Sequence, residues 1–218
     1  MNRHVLLPET NTLNTNITSE LWEFHRLTEL DDRRLYLYGE IVPVDEDTNF
    51  YSDTSASSFI TEQIIDYNRM DDGIEPEKRD PIRLYINSPG GDVTEGFAVV
   101  SAIELSETPV HTINIGQWSS MAFLIGISGQ KRFSLPYMTF LMHEASSFSI
   151  GKISSMEDKI KFDKLFSNKA VKQLVLRHSK LTEEEYDSIS TKEFYMLPED
   201  ALERGFIDQI VTNLSEIF

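Results

Sequence analysis

Residues 82–116 read IRLYINSPGGDVTEGFAVVSAIELSETPVHTINIG, and three regular elements follow one another along them. Residues 82–86 alternate as a short strand, and residues 87–91 have the composition of a turn that ends it. Residues 93–106 carry apolar side chains at helical spacing, and residues 110–116 have the composition of a second strand. A strand, a helix and a strand in this order predict α/β layers around a largely parallel sheet.

The sequence on both sides of this stretch continues the same alternation. It predicts a strand at residues 34–39, a helix at 57–70 and a small-residue helix at 119–127. A long amphipathic helix is predicted at residues 155–178, with Ser155 and Asp158 in its capping box. Further strands are predicted at residues 133–135, 139–142 and 206–211, and further helices are predicted to start at Thr182 and Pro198. Residues 1–19 are polar and without periodicity, so we expect a mobile N-terminal arm before a single domain at residues 20–218.

The composition argues against several classes of function. The 218 residues include 20 Lys and Arg against 36 Asp and Glu, and the net charge of −16 repels nucleic acid and anionic membranes. The chain has no cysteine, which excludes disulfides, thiolate metal sites and a cysteine nucleophile. No two histidines have the H-x-x-x-H spacing of a zinc helix, so we expect no metal. Because the start lacks a signal peptide and no run approaches ~20 apolar residues, we expect a cytoplasmic protein.

The first candidate for chemistry is Ser120, in the segment GQWSSMA at residues 116–122. The segment lies where a predicted strand turns into a helix, a geometry that exposes a hydroxyl over the edge of a sheet and aims helix N–H groups at it. This position suits a nucleophile. The alternative is that Ser119 and Ser120 only cap the helix, and the spacing does not match the G-x-S-x-G elbow.

The second candidate is the turn NSPGG at residues 87–91. Consecutive glycines let backbone N–H groups face a ligand without obstruction, so the turn could form an oxyanion hole. An ordinary tight turn is the alternative, because the glycine patterns of nucleotide-binding loops are absent.

The third candidate is His143, which ends the apolar strand predicted at residues 139–142. A general base must present its imidazole at the edge of a pocket, and pockets in α/β sheets lie at strand ends. A histidine that serves only the structure is the alternative.

Six segments in a fixed order carry a resemblance to a known family. They are LYINSPGG (84–91), GQWSSM (116–121), KRFSLP (131–136), LMH (141–143), EFYMLPEDA (193–201) and GFID (205–208). Over roughly residues 20–212 the chain resembles ClpP, the proteolytic subunit of the ATP-dependent Clp (caseinolytic) protease. The resemblance implies a ClpP/crotonase-like α/β fold of stacked βαβ units, with a head and a projecting handle at about residues 144–180.

The same resemblance implies a serine endopeptidase and assigns its parts. Ser120 is the nucleophile, His143 is the general base, and the backbone N–H groups of Gly91 and Met121 form the oxyanion hole. It also implies a homo-oligomer, a tetradecamer of two stacked heptameric rings, that degrades unfolded polypeptides delivered by an AAA+ Clp unfoldase. No cofactor is expected, because the unfoldase is the partner that uses ATP.

The chain departs from the family pattern at three places. Where the family has an aspartate that orients the histidine, this chain has Glu193, and we expect Glu193 to fill that role with Asp187 in reserve. Two small residues precede the family serine, where this chain has Trp118 and Ser119, and we expect Trp118 to pack in the core. The glycine-rich stretch after the family histidine is replaced by EASSFS at residues 144–149.

These departures leave three functions open. The first is an active, self-compartmentalised serine protease. The second is a catalytically weak or inactive subunit that serves assembly or unfoldase docking, which the glutamate and the altered stretch after His143 suggest. The third is a crotonase-type acyl-CoA enzyme, which would use two backbone donors but has no use for a paired Ser120 and His143.

Overall fold

The computed structural model describes residues 33–42, 56–144 and 153–218. The N-terminal arm predicted at residues 1–19 lies outside these residues, as does part of the predicted handle. The elements, in chain order, are β1 (Arg34–Ile41), α1 (Ala56–Met70), a 3₁₀ turn (Pro76–Lys78), β2 (Ile82–Gly91), α2 (Val93–Leu105), β3 (Val110–Ser119), α3 (Met121–Ile127), β4 (Lys131–Ser134), β5 (Thr139–Met142), α4 (Ile153–Phe166), a π-helical turn (Ser167–Val171), α5 (Lys172–Arg177), α6 (Glu183–Ile189), β6 (Phe194–Met196), α7 (Pro198–Glu203), β7 (Gln209–Ile210) and a second 3₁₀ turn (Leu214–Ile217).

A mostly parallel sheet forms the centre of the fold, which confirms the predicted α/β class. Strands β1, β2, β3, β4 and β7 are neighbours in that order, and all of these pairings are parallel. Strand β3 changes partner along its length: its first half pairs with β4 and its last residues pair with β5. Strand β6 is antiparallel to β5. The end of β3 therefore lies beside the β5–β6 ribbon, and Ser120, His143 and Glu193 follow or precede the strand ends at this edge.

The main apolar core holds the sheet against its helices. It includes residues with no exposed surface on the sheet, such as Ile86, and on the helices, such as Ile103 and Phe123. Full burial of one such apolar side chain stabilises the fold by about 1.5–3 kcal/mol. A smaller cluster includes Tyr85, Phe133 and Ile217.

The segment NSPGG differs from its prediction as a turn that ends a strand. Strand β2 continues through it to Gly91, which pairs with Ile41 of β1. The pairing resumes after a change of register between Tyr38 and Glu40, and Gly91 has φ +143°. A β-carbon on Gly91 would collide with the backbone of Ile41. The segment reads as a turn because its residues have low strand propensity, but the missing side chain is what allows the close pairing.

The long helix predicted at residues 155–178 also differs in detail. Helix α4 begins at Ile153, so Ser155 lies inside the first turn and its predicted capping role is wrong. The helix then passes through the π-helical turn before α5 continues it. By contrast, Thr182 caps α6 through a capping box with Glu185, as such a sequence favours.

Candidate active site

Ser120 occupies a strained turn between β3 and α3. Its φ of 56° and ψ of −123° are unusual for a residue with a β-carbon, and such backbone strain is concentrated at functional sites. The turn is held in place because the Ser120 N–H donates to the carbonyl of Leu141 at 2.9 Å. The Ser120 side chain makes no capping hydrogen bond to α3. The alternative that the hydroxyl serves as a helix cap is therefore not what the structure shows.

The NSPGG segment lies directly against this turn. A β-carbon on Gly90 would lie 2.6 Å from the Ser119 carbonyl oxygen, 2.7 Å from the Ser120 β-carbon and 2.8 Å from the Met121 nitrogen. Met121 is the first residue of α3, so its N–H has no acceptor within the helix. Its side chain is buried where a β-carbon on Gly96 would collide with it. Because Gly90 has no side chain, the backbone of residues 90–91 can contact the first turn of α3.

His143 reaches the same edge from the neighbouring strand. Ser119 pairs with Leu141 in the parallel register of β3 and β5. Continuing this register places Ser120 beside Met142, the residue before His143. The His143 side chain is half-buried, and its Nδ1 lies 2.7 Å from the carbonyl oxygen of Glu144. The predicted nucleophile and base are thus at adjacent strand ends.

Glu193 directly precedes strand β6, an element that the sequence patterns did not predict. In the antiparallel ribbon Met142 pairs with Phe194, so continuing the register by one residue places His143 opposite Glu193. Opposite residues of an antiparallel pair project to the same face, with β-carbons about 4.5–5.5 Å apart. The signal that could have found β6 is the segment EFYM, in which aromatic residues follow Glu193.

The register brings the three residues to one edge of the sheet, but their side chains are not joined. No hydrogen bond among the described residues links any two of Ser120, His143 and Glu193; the Glu193 carboxylate instead accepts from the hydroxyl of Tyr195 at 2.9 Å. A catalytic relay would require the His143 ring to leave the Glu144 carbonyl and turn towards Glu193.

Asp187, the reserve for the orienting role, is engaged elsewhere. Both of its carboxylate oxygens accept from the ammonium group of Lys172, at 2.8 and 3.0 Å. These hydrogen bonds raise the pKa of Lys172. Glu193 is therefore the carboxylate that the β5–β6 register favours.

Trp118 packs in the core, as expected from its position. It has no exposed surface, and its ring meets Phe140 edge-on with centroids 5.4 Å apart. A β-carbon on Gly126 would collide with the indole, so the large side chain is accommodated by a glycine in α3. Trp118 lies beneath the site and has no surface that could line a substrate pocket.

Within the three described ranges, no three His, Cys, Asp or Glu residues are grouped in a way that could hold a metal ion. In the same part of the chain, none of the helices combines the length and the apolar character needed to cross a membrane.

Comparisons with known proteins agree with the order of the motifs. The family model of Clp protease matches residues 58–214. ATP-dependent Clp protease proteolytic subunit 1 of Streptomyces avermitilis is 33% identical over 144 residues, which are 65% of this chain and 65% of that protein. ATP-dependent Clp protease proteolytic subunit 2 of Thermobifida fusca is 32% identical over 145 residues, which are 66% of this chain and 70% of that protein. The match therefore spans about two thirds of the length of these relatives.

Proposed function

The chain belongs to the Clp protease family, and from this premise we propose that it is a serine endopeptidase subunit of an ATP-dependent Clp protease that cuts unfolded polypeptides into short peptides. The observation that carries the proposal is the Ser120 turn. Its hydroxyl does not cap the helix, its backbone is strained, and it lies between the glycine segment of β2 and the strand end that carries His143.

The proposed chemistry follows from these positions. His143 takes the proton of the Ser120 hydroxyl as its oxygen attacks the scissile carbonyl, and then gives the proton to the leaving amine. Glu193 receives the other ring N–H, which holds the tautomer and stabilises the imidazolium. The N–H groups of Gly91 and Met121 bind the negative oxygen of the tetrahedral intermediate. Water then hydrolyses the acyl-enzyme with His143 as base.

We further propose that the subunits form two stacked heptameric rings and receive substrate from an AAA+ Clp unfoldase, which is the partner that uses ATP. Helix α4 supports contact between subunits, because its apolar side chains Ile160, Phe162 and Leu165 are each at least half exposed. Phe166 packs instead against Phe97 of its own chain, with ring centroids 4.9 Å apart. The cytoplasmic location stays a prediction from the sequence.

The same site also supports a second candidate, a catalytically weak or inactive subunit that serves assembly or unfoldase docking. The observation in its favour is that the His143 ring is engaged with the Glu144 carbonyl at 2.7 Å and, in the part of the chain that the structure describes, has no hydrogen bond to Ser120 or Glu193, so the relay is not assembled. No feature of the described residues favours an acyl-CoA enzyme over these two.

A fluorophosphonate probe distinguishes the two candidates, because it forms a covalent bond only with an activated serine. We expect the wild type to be labelled and Ser120→Ala to be unlabelled, with peptide hydrolysis below about a thousandth of the wild-type rate. Ser119→Ala is the matched control, because that buried hydroxyl bonds to Gln117 and has no assigned role. An assembled wild-type protein that takes no label would establish the inactive subunit instead.

A further inference from the structure

Tyr195 lies in the middle of β6 and makes a contact that the proposed mechanism does not use. It pairs with Leu141 of β5, and its hydroxyl donates to Glu193 Oε2 at 2.9 Å. Residues two apart on a strand share a face, so Tyr195, Glu193 and the position of His143 lie on one side of the β5–β6 ribbon. Its side chain is 64% exposed, which shows that it does not serve the core.

We propose that Tyr195 is a positioning residue that holds the carboxylate of Glu193 in place for His143, an inference that rests on the proposed function. The hydroxyl reaches one carboxylate oxygen from the neighbouring position on the same strand face. An ionised carboxylate accepts at both oxygens, so Glu193 Oε1 stays available for the ring N–H of His143.

The need for such a residue comes from the length of glutamate. Glu193 has one more rotatable bond than the aspartate found at this position in the family, and the side chain is exposed. A free glutamate loses up to about 2 kcal/mol of side-chain entropy when it is fixed in one conformation. A hydrogen bond from Tyr195 already restricts Glu193, so less side-chain entropy is lost when Glu193 pairs with His143.

The protonation of Tyr195 is compatible with this role. Its hydrogen bond to the Glu193 carboxylate raises the pKa of the Tyr195 phenol, because only the protonated phenol can donate. The hydroxyl therefore stays a donor at the neutral pH at which a histidine base works. When the His143 ring leaves the Glu144 carbonyl, it meets a carboxylate that is already held.

The test is a double-mutant cycle that combines Tyr195→Phe with Glu193→Ala in the full-length protein. Tyr195→Phe removes only the hydroxyl, and we expect kcat and the rate of fluorophosphonate labelling at Ser120 to fall about fivefold with KM unchanged. In the Glu193→Ala background the same change should alter neither rate by more than about twofold, because Tyr195 acts through Glu193. Tyr137→Phe is the matched control, since that ring is 92% exposed and should be silent.

Three results would overturn the inference while leaving the proposed function intact, provided that the wild type is labelled at Ser120. The labelling rate of Tyr195→Phe could equal that of the wild type, or it could be faster. Alternatively, Tyr195→Phe could lower the rate equally in the wild-type and the Glu193→Ala backgrounds. A faster rate would mean that the hydroxyl withholds the carboxylate from His143. A wild type without any label at Ser120 would refute the proposed function itself, and the positioning role with it.

Discussion

Gly90→Ala is the substitution for which the structure makes the sharpest prediction. Gly90 has φ +94°, and an added β-carbon would lie 2.6 Å from the Ser119 carbonyl oxygen and 2.7 Å from the Ser120 β-carbon. Gly73 is a matched control, because its φ of +83° is similar and nothing lies within 4 Å of its added β-carbon. The two variants share the backbone cost, and only Gly90→Ala crowds Ser120, the proposed nucleophile.

The magnitude follows from two contributions. A left-handed backbone costs a residue with a β-carbon roughly 1–2 kcal/mol, which applies to both variants. Overlap in a packed region adds about 1–3 kcal/mol at Gly90 alone, so we expect a total loss of about 2–5 kcal/mol in the free energy of unfolding. To reach an ordinary contact at 3.4 Å from 2.6 Å, the Ser120 turn and the glycine segment must separate by nearly 1 Å. A misplacement of this order at a reacting group costs about 100-fold in rate.

Urea unfolding and the rate of fluorophosphonate labelling at Ser120 measure the two effects on the same preparation. We expect Gly73→Ala to lose stability but to label at the wild-type rate, and Gly90→Ala to lose more stability and to label about 100-fold more slowly. If Gly90→Ala matches Gly73→Ala in both measurements, close contact between Gly90 and the Ser120 turn does not determine the position of Ser120.

Three further predictions concern stability and assembly. Asp71→Asn should lower the free energy of unfolding by about 1.5–3 kcal/mol at pH 7, because the Asp71 carboxylate is 3% exposed and accepts two 2.6 Å hydrogen bonds from Arg33. These bonds lower the pKa of Asp71, so its stabilisation is lost as pH falls below about 4, and the variant should show less acid destabilisation in urea titrations. Burial is the main cause that lowers the pKa of His111 to about 4 in the folded protein. As pH falls from about 6.5 to 4, the unfolded chain therefore binds a proton at His111 that the folded protein does not, and the wild type loses stability. In urea titrations, His111→Gln should remove this loss. Phe162→Glu, at a side chain that is 62% exposed, should separate the proposed stacked rings in sedimentation velocity, while the control Lys164→Glu should not. A Phe162→Glu particle of the same size as the wild type would exclude the exposed face of α4 as the contact between rings.

Much of the site could be predicted because its parts are local in sequence. Ser120 follows a strand and precedes a helix, and the residues of each element are continuous in the chain beside it. His143 directly follows an apolar run of strand length. The resemblance implied that the glycine segment lies near Met121, but local pattern alone does not give the close approach of Gly90 to the Ser120 turn, because that contact joins segments about thirty residues apart.

The amino-acid sequence by itself determined the α/β class and the parallel order of strand, helix and strand, because both depend on periodicity that is continuous in the chain. It also indicated Ser120 and His143 as candidates for the catalytic roles. The choice between the two candidate carboxylates needed the tertiary structure: the sequence favoured Glu193 and kept Asp187 in reserve, and in the structure Asp187 is bound to Lys172. Strand β6 is three residues long and is defined by its pairing with β5, so a reading of local pattern does not find it. Extending that pairing by one residue places Glu193 opposite His143, and the hydroxyl of Tyr195 donates to Glu193. Local sequence cannot give this placement, because register is a relation between two strands and not a property of either one.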